Sequence, residues 1–220
     1  MRALLTALLL SALLGFAACG DDDDGGGEGT TGATDDPCEE VSAPEPRTVE
    51  LEPPPKQPSA EKLTAVVDTS CGTFEIALDT KDSPKTVASF EHLAENGVYN
   101  DTLWHRIVPG FVIQGGDPQG TGTGGPGYSV DEPPPQDAEY TEGVVAMAKT
   151  EAEPPGRSGS QFFVVSGADA GLPPQYAIVG KVSSGFDVVK TIEAFGDPQS
   201  AGTGTPLEPV LINSVTIEEG

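Results

Sequence analysis

The residues best suited to chemistry lie in one segment, Trp104-His105-Arg106-Ile107-Val108-Pro109-Gly110-Phe111-Val112-Ile113-Gln114-Gly115-Gly116-Asp117. Arg106 is one of two arginines beyond residue 60, the other being Arg157. A guanidinium is permanently charged, offers several donors and has no proton to lose. Apolar Phe111 and Val112 follow closely, so the segment can set a fixed donor beside an apolar surface. Other chemistries are poorly supplied. With two histidines and three cysteines the chain is short of soft metal ligands, and no zinc site is expected. Gly120-Thr121-Gly122-Thr123-Gly124-Gly125 spells a dinucleotide fingerprint, but Pro126-Gly127 follows it and leaves no helix to receive a pyrophosphate. It reads as a loop. The acidic run Asp21-Asp22-Asp23-Asp24 lacks the spacing of an ordered calcium loop.

The fourteen-residue segment resembles the active-site signature of the cyclophilins, which are peptidyl-prolyl cis-trans isomerases. Companion motifs follow in the family's order: Gly122-Thr123-Gly124-Gly125, Met147-Ala148-Lys149, Ser158-Gly159-Ser160-Gln161-Phe162-Phe163 and Gly180-Lys181-Val182. The resemblance spans about Leu63 to Ile217 and implies catalysed rotation about X-Pro bonds. Uncatalysed, that rotation takes tens to hundreds of seconds. It breaks amide resonance, so the prolyl nitrogen regains a lone pair in the twisted state. A donor aimed at that nitrogen binds the twisted form better than the planar one, the condition for acceleration. Each tenfold gain needs about 1.4 kcal/mol of such preference.

The resemblance assigns that donor to Arg106. It places Phe111, Val112, Phe163 and Leu172 in an apolar cup for the proline ring, and Gln114 where a side chain holds the substrate carbonyl. It places the backbone of Ala148 and Lys149 beside the residue before proline, and Gln161 and Gly122 in a neighbouring subsite. His105 takes a structural or substrate-contacting role, because the reaction has no proton transfer to catalyse. Tyr176 stands where several members have His, Lys149 where many eukaryotic members have Asn, and Gly171 where many have a cup-lining Trp. The last departure implies weak cyclosporin binding. No cofactor or metal is implied. Two other readings stay open: a non-catalytic module that holds peptides in the same cup, and a surface or adhesive lipoprotein whose fold is incidental. The intact set of Arg106, Phe111, Gln114 and Phe163 argues against the latter.

The elements that must position these residues read as mainly β. Glycine and proline together make up 49 of 220 residues, which disfavours a helical bundle. Short apolar runs predict strands at 63–68, 74–78, 103–108, 111–114, 144–148, 161–165, 177–182 and 210–217. Ser83-Pro84 opens a helix as N-cap and first-turn proline, and Asn96-Gly97 closes it. A second helix spans 185–192. Eight strands and two helices predict a closed antiparallel barrel capped at its ends. Acidic, proline-bearing stretches at 131–135 and 151–155 read as solvated connections.

The termini and the charge frame this domain. A net charge of −24 excludes a nucleic-acid footprint. Met1–Cys19 has a positive start at Arg2, an apolar run from Leu4 to Phe16, and small residues before Cys19. It resembles a bacterial lipoprotein signal, which implies a lipid on Cys19 and a membrane anchor on the extracytoplasmic face. Residues 20–60 carry twelve acids and two bases with few apolar side chains, and predict a disordered tether. The isomerase domain is then 61–220. Export leaves Cys38 and Cys71 as an even pair in an oxidising compartment, either bonded or as two free thiols. The expected partners are proline-containing unfolded or nascent exported polypeptides, met by a monomer.

Overall fold

The structure, a computed structural model, describes residues 37–54, 57–200 and 202–220. Cys19, its leader and the acidic run at 21–24 lie outside these residues. One compact unit runs from Asp36 to Gly220, so it begins well before the boundary expected near residue 61.

Its elements, in chain order, are β1 (Leu63–Thr69), β2 (Gly72–Leu78), α1 (Pro84–Glu95), β3 (Thr102–Leu103), β4 (Arg106–Val108), β5 (Val112–Gly115), β6 (Val130–Asp131), β7 (Val144–Met147), β8 (Arg157–Ser158), β9 (Phe162–Val165), β10 (Ile178–Ser184), α2 (Phe186–Glu193) and β11 (Leu211–Glu219). Nine strands form one antiparallel sheet in the order β3-β11-β1-β2-β10-β7-β9-β5-β4, and β6 and β8 form a separate ribbon. The sheet is a curled half-barrel, not the closed eight-stranded barrel expected. The run 103–108 is the reason. It breaks at Trp104-His105, so β3 pairs with β11 on one edge and β4 with β5 on the other. Among the described residues no ladder joins the two edges. An isolated bridge pairs Leu103 of β3 with Asp117, just past β5.

Alternation explains the outer strands. Leu63, Ala65, Val67 and Thr69 of β1 point inward while the residues between them are half-exposed, the period-two pattern of a one-sided strand. The central strands β7 and β9 are buried at every position, because both faces are covered. One face carries Ile113, Val145, Met147, Phe162 and Val164 into the main core with Phe74, Phe90, Tyr99 and Trp104. The other carries Val112, Val144, Ala146, Phe163 and Val165 into a smaller apolar cluster. Sequence alternation alone leaves open which of Phe162 and Phe163 faces the core; it is Phe162.

Helix α1 ends as expected. Gly97, at φ +65°, reverses the chain, and the N–H groups of Gly97 and Val98 return to the carbonyls of Ala94 and Leu93. Its start differs. Ser83 occupies the N-cap position but makes no side-chain cap bond. The Glu132 carboxylate instead accepts from Lys85 N–H (3.2 Å) and Thr86 N–H (2.7 Å), where free donors and the helix dipole favour an anion. The 131–135 stretch is therefore a tertiary cap as well as a connection. Replacing Glu132 by Ala is expected to cost about 1 kcal/mol in urea unfolding, and more than Ser83→Ala. Equal costs would return the cap to Ser83.

Candidate active site

Strand register assembles the site. Arg106 pairs with Gln114, Gln114 with Phe163, and Phe163 with Ala146. Directly opposed residues on neighbouring strands share a face, so these four side chains form one row across β4, β5, β9 and β7. Val112 lies two residues from Gln114 and joins the same face. Arg106, Val112, Gln114 and Phe163 of this face line a cavity of about 270 Å³, whose walls add Phe111, Ala148, Lys149, Leu172 and Tyr176.

Arg106 and three of the walls, Phe111, Lys149 and Tyr176, are held by identifiable contacts. The Arg106 guanidinium lies 5.6 Å from the Phe111 ring centroid and donates to the Gly202 carbonyl at 3.2 Å. Partial burial lowers its pKa from the ordinary value, opposed by Tyr176, and it stays charged at any physiological pH. Phe111 is fixed through its carbonyl, which accepts from the N–H groups of Ser166 and Gly167. The preceding turn is tied to α2 by Glu193, whose carboxylate accepts from Gly110 N–H at 2.7 Å and pairs with Lys190. Tyr176 stands edge-on to Phe163, with centroids 5.5 Å apart. The Lys149 ammonium donates to the carbonyls of Thr150 (3.0 Å) and Glu153 (3.1 Å) and lies 5.5 Å from the Tyr176 ring.

Tyr140 is a positioning residue that the sequence reading missed. It is buried, and its hydroxyl donates to the Tyr176 carbonyl (2.7 Å) while accepting from Tyr176 N–H (2.9 Å). An aromatic residue at the end of an acidic, proline-rich loop has no periodic signal to mark it. Gly171 is exposed at φ +61° and lies outside the cavity wall.

A second groove of about 570 Å³ adjoins the first and shares Gln114, Ala148 and Lys149 with it. Gln161 and Gly122 line this groove, together with Val49 and Glu50 from the segment expected to be a disordered tether. Gln114 and Gln161 are coupled: Gln114 Nε2 donates to Gln161 Oε1 (3.1 Å), and Gln161 Nε2 donates to the Gly124 carbonyl (3.0 Å). His105 lines neither space. It faces a separate pocket beside Ala43 and Leu207, and its pKa is lowered by burial, which keeps it neutral at pH 7. Cys38 and Cys71 are bonded, with Cα atoms 4.1 Å apart. Among the described residues no group of three or more His, Cys, Asp or Glu could hold a metal ion.

The glycine-rich loop after β5 is organised by Asp117. The residue is 1% exposed, and its carboxylate accepts from the N–H groups of Gln119 (2.8 Å), Thr121 (2.9 Å), Gly122 (2.6 Å) and Gly124 (3.1 Å). The residues that spell a nucleotide fingerprint thus turn their donors inward onto a carboxylate. Burial alone would raise the Asp117 pKa, but the backbone donors outweigh it and hold it below its ordinary value.

Comparison with known proteins agrees with this geometry. Residues 64–217 match the family described as cyclophilin type peptidyl-prolyl cis-trans isomerase/CLD. Peptidyl-prolyl cis-trans isomerase B of Streptomyces anulatus is 41% identical over 177 residues, covering 72% of this chain and 98% of that protein. A probable isomerase A of Mycobacterium leprae is 37% identical, covering 71% and 93%. Among solved structures, a Cryptosporidium parvum cyclophilin type isomerase superposes with a TM-score of 0.65 at 30% identity, covering 72% of this chain and 99% of that one. The same protein in the presence of the dipeptide Ala-Pro gives a TM-score of 0.64, also at 30% identity, covering 71% and 99%. The chain belongs to the cyclophilin-type peptidyl-prolyl cis-trans isomerases, and it is an isomerase.

The Asp117 carboxylate provides a pH test. Its folded pKa lies below the unfolded value, so its stabilisation is complete above the unfolded value near 4 and is lost as pH falls through the folded value. Asp117→Asn is expected to cost about 2 kcal/mol at pH 7. The gap from the native protein should shrink in acid denaturation below pH 4; a gap unchanged down to pH 2 would contradict the assignment.

Proposed function

We propose that this isomerase turns X-Pro bonds by aiming Arg106 at the prolyl nitrogen while the proline ring sits in the cavity floored by Val112, Gln114 and Phe163. The observation that carries the reading is the row set by strand register, which brings the one guanidinium of the cavity beside its apolar floor. The apolar walls Phe111 and Leu172 shield the ring from water, which strengthens the charge–lone-pair interaction. Gln114 gives one N–H to Gln161 and keeps a second for the substrate carbonyl. The Ala148 N–H is taken by the Gln161 carbonyl (2.8 Å), so the residue before proline meets the rest of the 148–149 backbone. A proline-containing substrate is supported by the similar structure studied with Ala-Pro. His105 acts structurally behind the site.

The test is exchange spectroscopy of a short X-Pro peptide with the full chain and with Arg106→Ala. The variant is expected to lose about 100-fold in kcat/KM, the scale for removing one preorganised donor at a developing charge, while near-UV dichroism shows it folded. Full turnover by a folded Arg106→Ala protein would favour the peptide-holding reading.

The clients proposed are exported polypeptides, whose folding this isomerase assists from a lipid anchor on Cys19 at the extracytoplasmic membrane face. The leader-like composition of Met1–Cys19 supports this, as does the Cys38–Cys71 bond, which suits an oxidising compartment. Labelled palmitate should enter the native chain in a lipoprotein-processing host and fail to enter Cys19→Ser. Equal incorporation would remove the anchor.

A further inference from the structure

Residues 38–52 cross the domain as an arm without regular secondary structure, held at its two ends and at Arg47. Cys38 is bonded to Cys71 in the β1–β2 turn, and Glu39 N–H donates to the Ser70 carbonyl at 2.7 Å. The Arg47 guanidinium donates to the carbonyls of Val98 (3.2 Å) and Asn100 (2.5 Å), just past the end of α1. A cation there meets the carbonyls that the helix and its turn leave without partners. Glu52 closes the crossing, its carbonyl lying 3.2 Å from His92 Nε2.

Between these anchors the arm braces the glycine-rich loop. Arg47 N–H donates to the Pro118 carbonyl and Leu51 N–H to the Pro126 carbonyl, each at 2.8 Å. Four residues of extended chain span about 13 Å, so the arm acts as a strut between the two ends of the loop. The approach is close. Gly127 sits at φ +86°, and a Cβ there would come within 3.2 Å of the Glu50 Cα. That loop presents Gly122 and Gly124 to the groove beside the proline cavity, and the Gly124 carbonyl holds Gln161, which in turn holds Gln114.

The arm also contributes its own side chain. Glu50 is exposed and lines the groove. The other charged groups of the groove are already engaged. The Lys149 ammonium is turned onto the carbonyls of Thr150 and Glu153. The Glu153 carboxylate accepts from the N–H (2.7 Å) and hydroxyl (2.9 Å) of Thr150. No donor among the described residues pairs with the Glu50 carboxylate, so it is the charge that an incoming chain can use.

We propose that residues 47–51 form a built-in wall of the substrate site, and that Glu50 selects polypeptides with a lysine or arginine two or three residues before the proline. The inference rests on the isomerase site described above, which directs the chain preceding proline past Ala148 and Lys149 into this groove. The net charge of −24 adds long-range attraction for basic chains.

The test compares three peptides that differ only at the two positions before the X-Pro pair, carrying Lys, Ala or Glu. Turnover is read by exchange spectroscopy and affinity by chemical-shift titration, using the full chain with its disulfide intact. The native protein should favour Lys over Ala by about two- to fivefold in kcat/KM, the scale of a solvent-accessible ion pair, and disfavour Glu. The preference should shrink in 0.5 M salt. Glu50→Gln should lower the Lys-to-Ala ratio to what the remaining negative charge sustains, and Glu50→Lys should lower it further. A native ratio of one, or a ratio unchanged in Glu50→Gln, overturns the inference. Turnover of all three peptides without discrimination leaves the isomerase mechanism standing and removes only this selection. Charge-selective binding without turnover removes the mechanism and supports the selection.

Discussion

Two residues, Trp104 and His105, join β3 to β4, and those strands are opposite edges of a nine-stranded sheet. So short a link between the two edges forces the sheet to curl until they nearly meet. Trp104 holds the curl from inside, fully buried with its ring 5.5 Å from Phe162 and 6.3 Å from Phe74. The next residue after the link is Arg106. The crossing that shapes the half-barrel therefore also delivers the guanidinium to the far edge, opposite Gln114 and one strand further from Phe163.

The central strands must be apolar on both faces for this to work. One face is needed for the core, and the other makes the floor of the candidate site. Phe162 and Phe163, adjacent in sequence, serve the two sides. Peripheral loops then fix the walls by single buried polar groups as well as by packing on the smaller apolar cluster. Tyr140 holds Tyr176 through both backbone groups, Asp117 gathers four N–H groups of the glycine-rich loop, and Glu193 holds the turn before Phe111. Removing one partner from such a buried arrangement exposes the full desolvation cost of the group left behind. Site geometry is accordingly concentrated in a few residues outside the strands.

The extended arm shows how a segment with no regular structure can still be ordered. It has too few apolar residues to form a core of its own, and lays Val49 and Leu51 against the core of the domain. Its order comes from that contact together with a disulfide, one arginine at the end of a helix, and backbone bonds to carbonyls of the domain. Proline-rich composition helps, because a stiff extended chain loses less entropy on docking.

Residue types and spacing determined much of this by themselves. Arg106, Phe111 and Gln114 stand in a contiguous segment that resembles the family's signature, and Asn96-Gly97 marks the end of α1 because only glycine turns there cheaply. Apolar runs marked the longer strands, though not the two-residue β6 and β8. Other features depend on which distant groups meet. That 103–108 serves two edges, that Glu132 and not Ser83 caps α1, that Tyr140 holds Tyr176, and that 37–54 packs on the domain all arise between residues far apart in the chain. Local periodicity reports what one element prefers. It carries no information on a hydrogen bond whose donor and acceptor lie forty residues apart, and only the folded chain brings those two groups together.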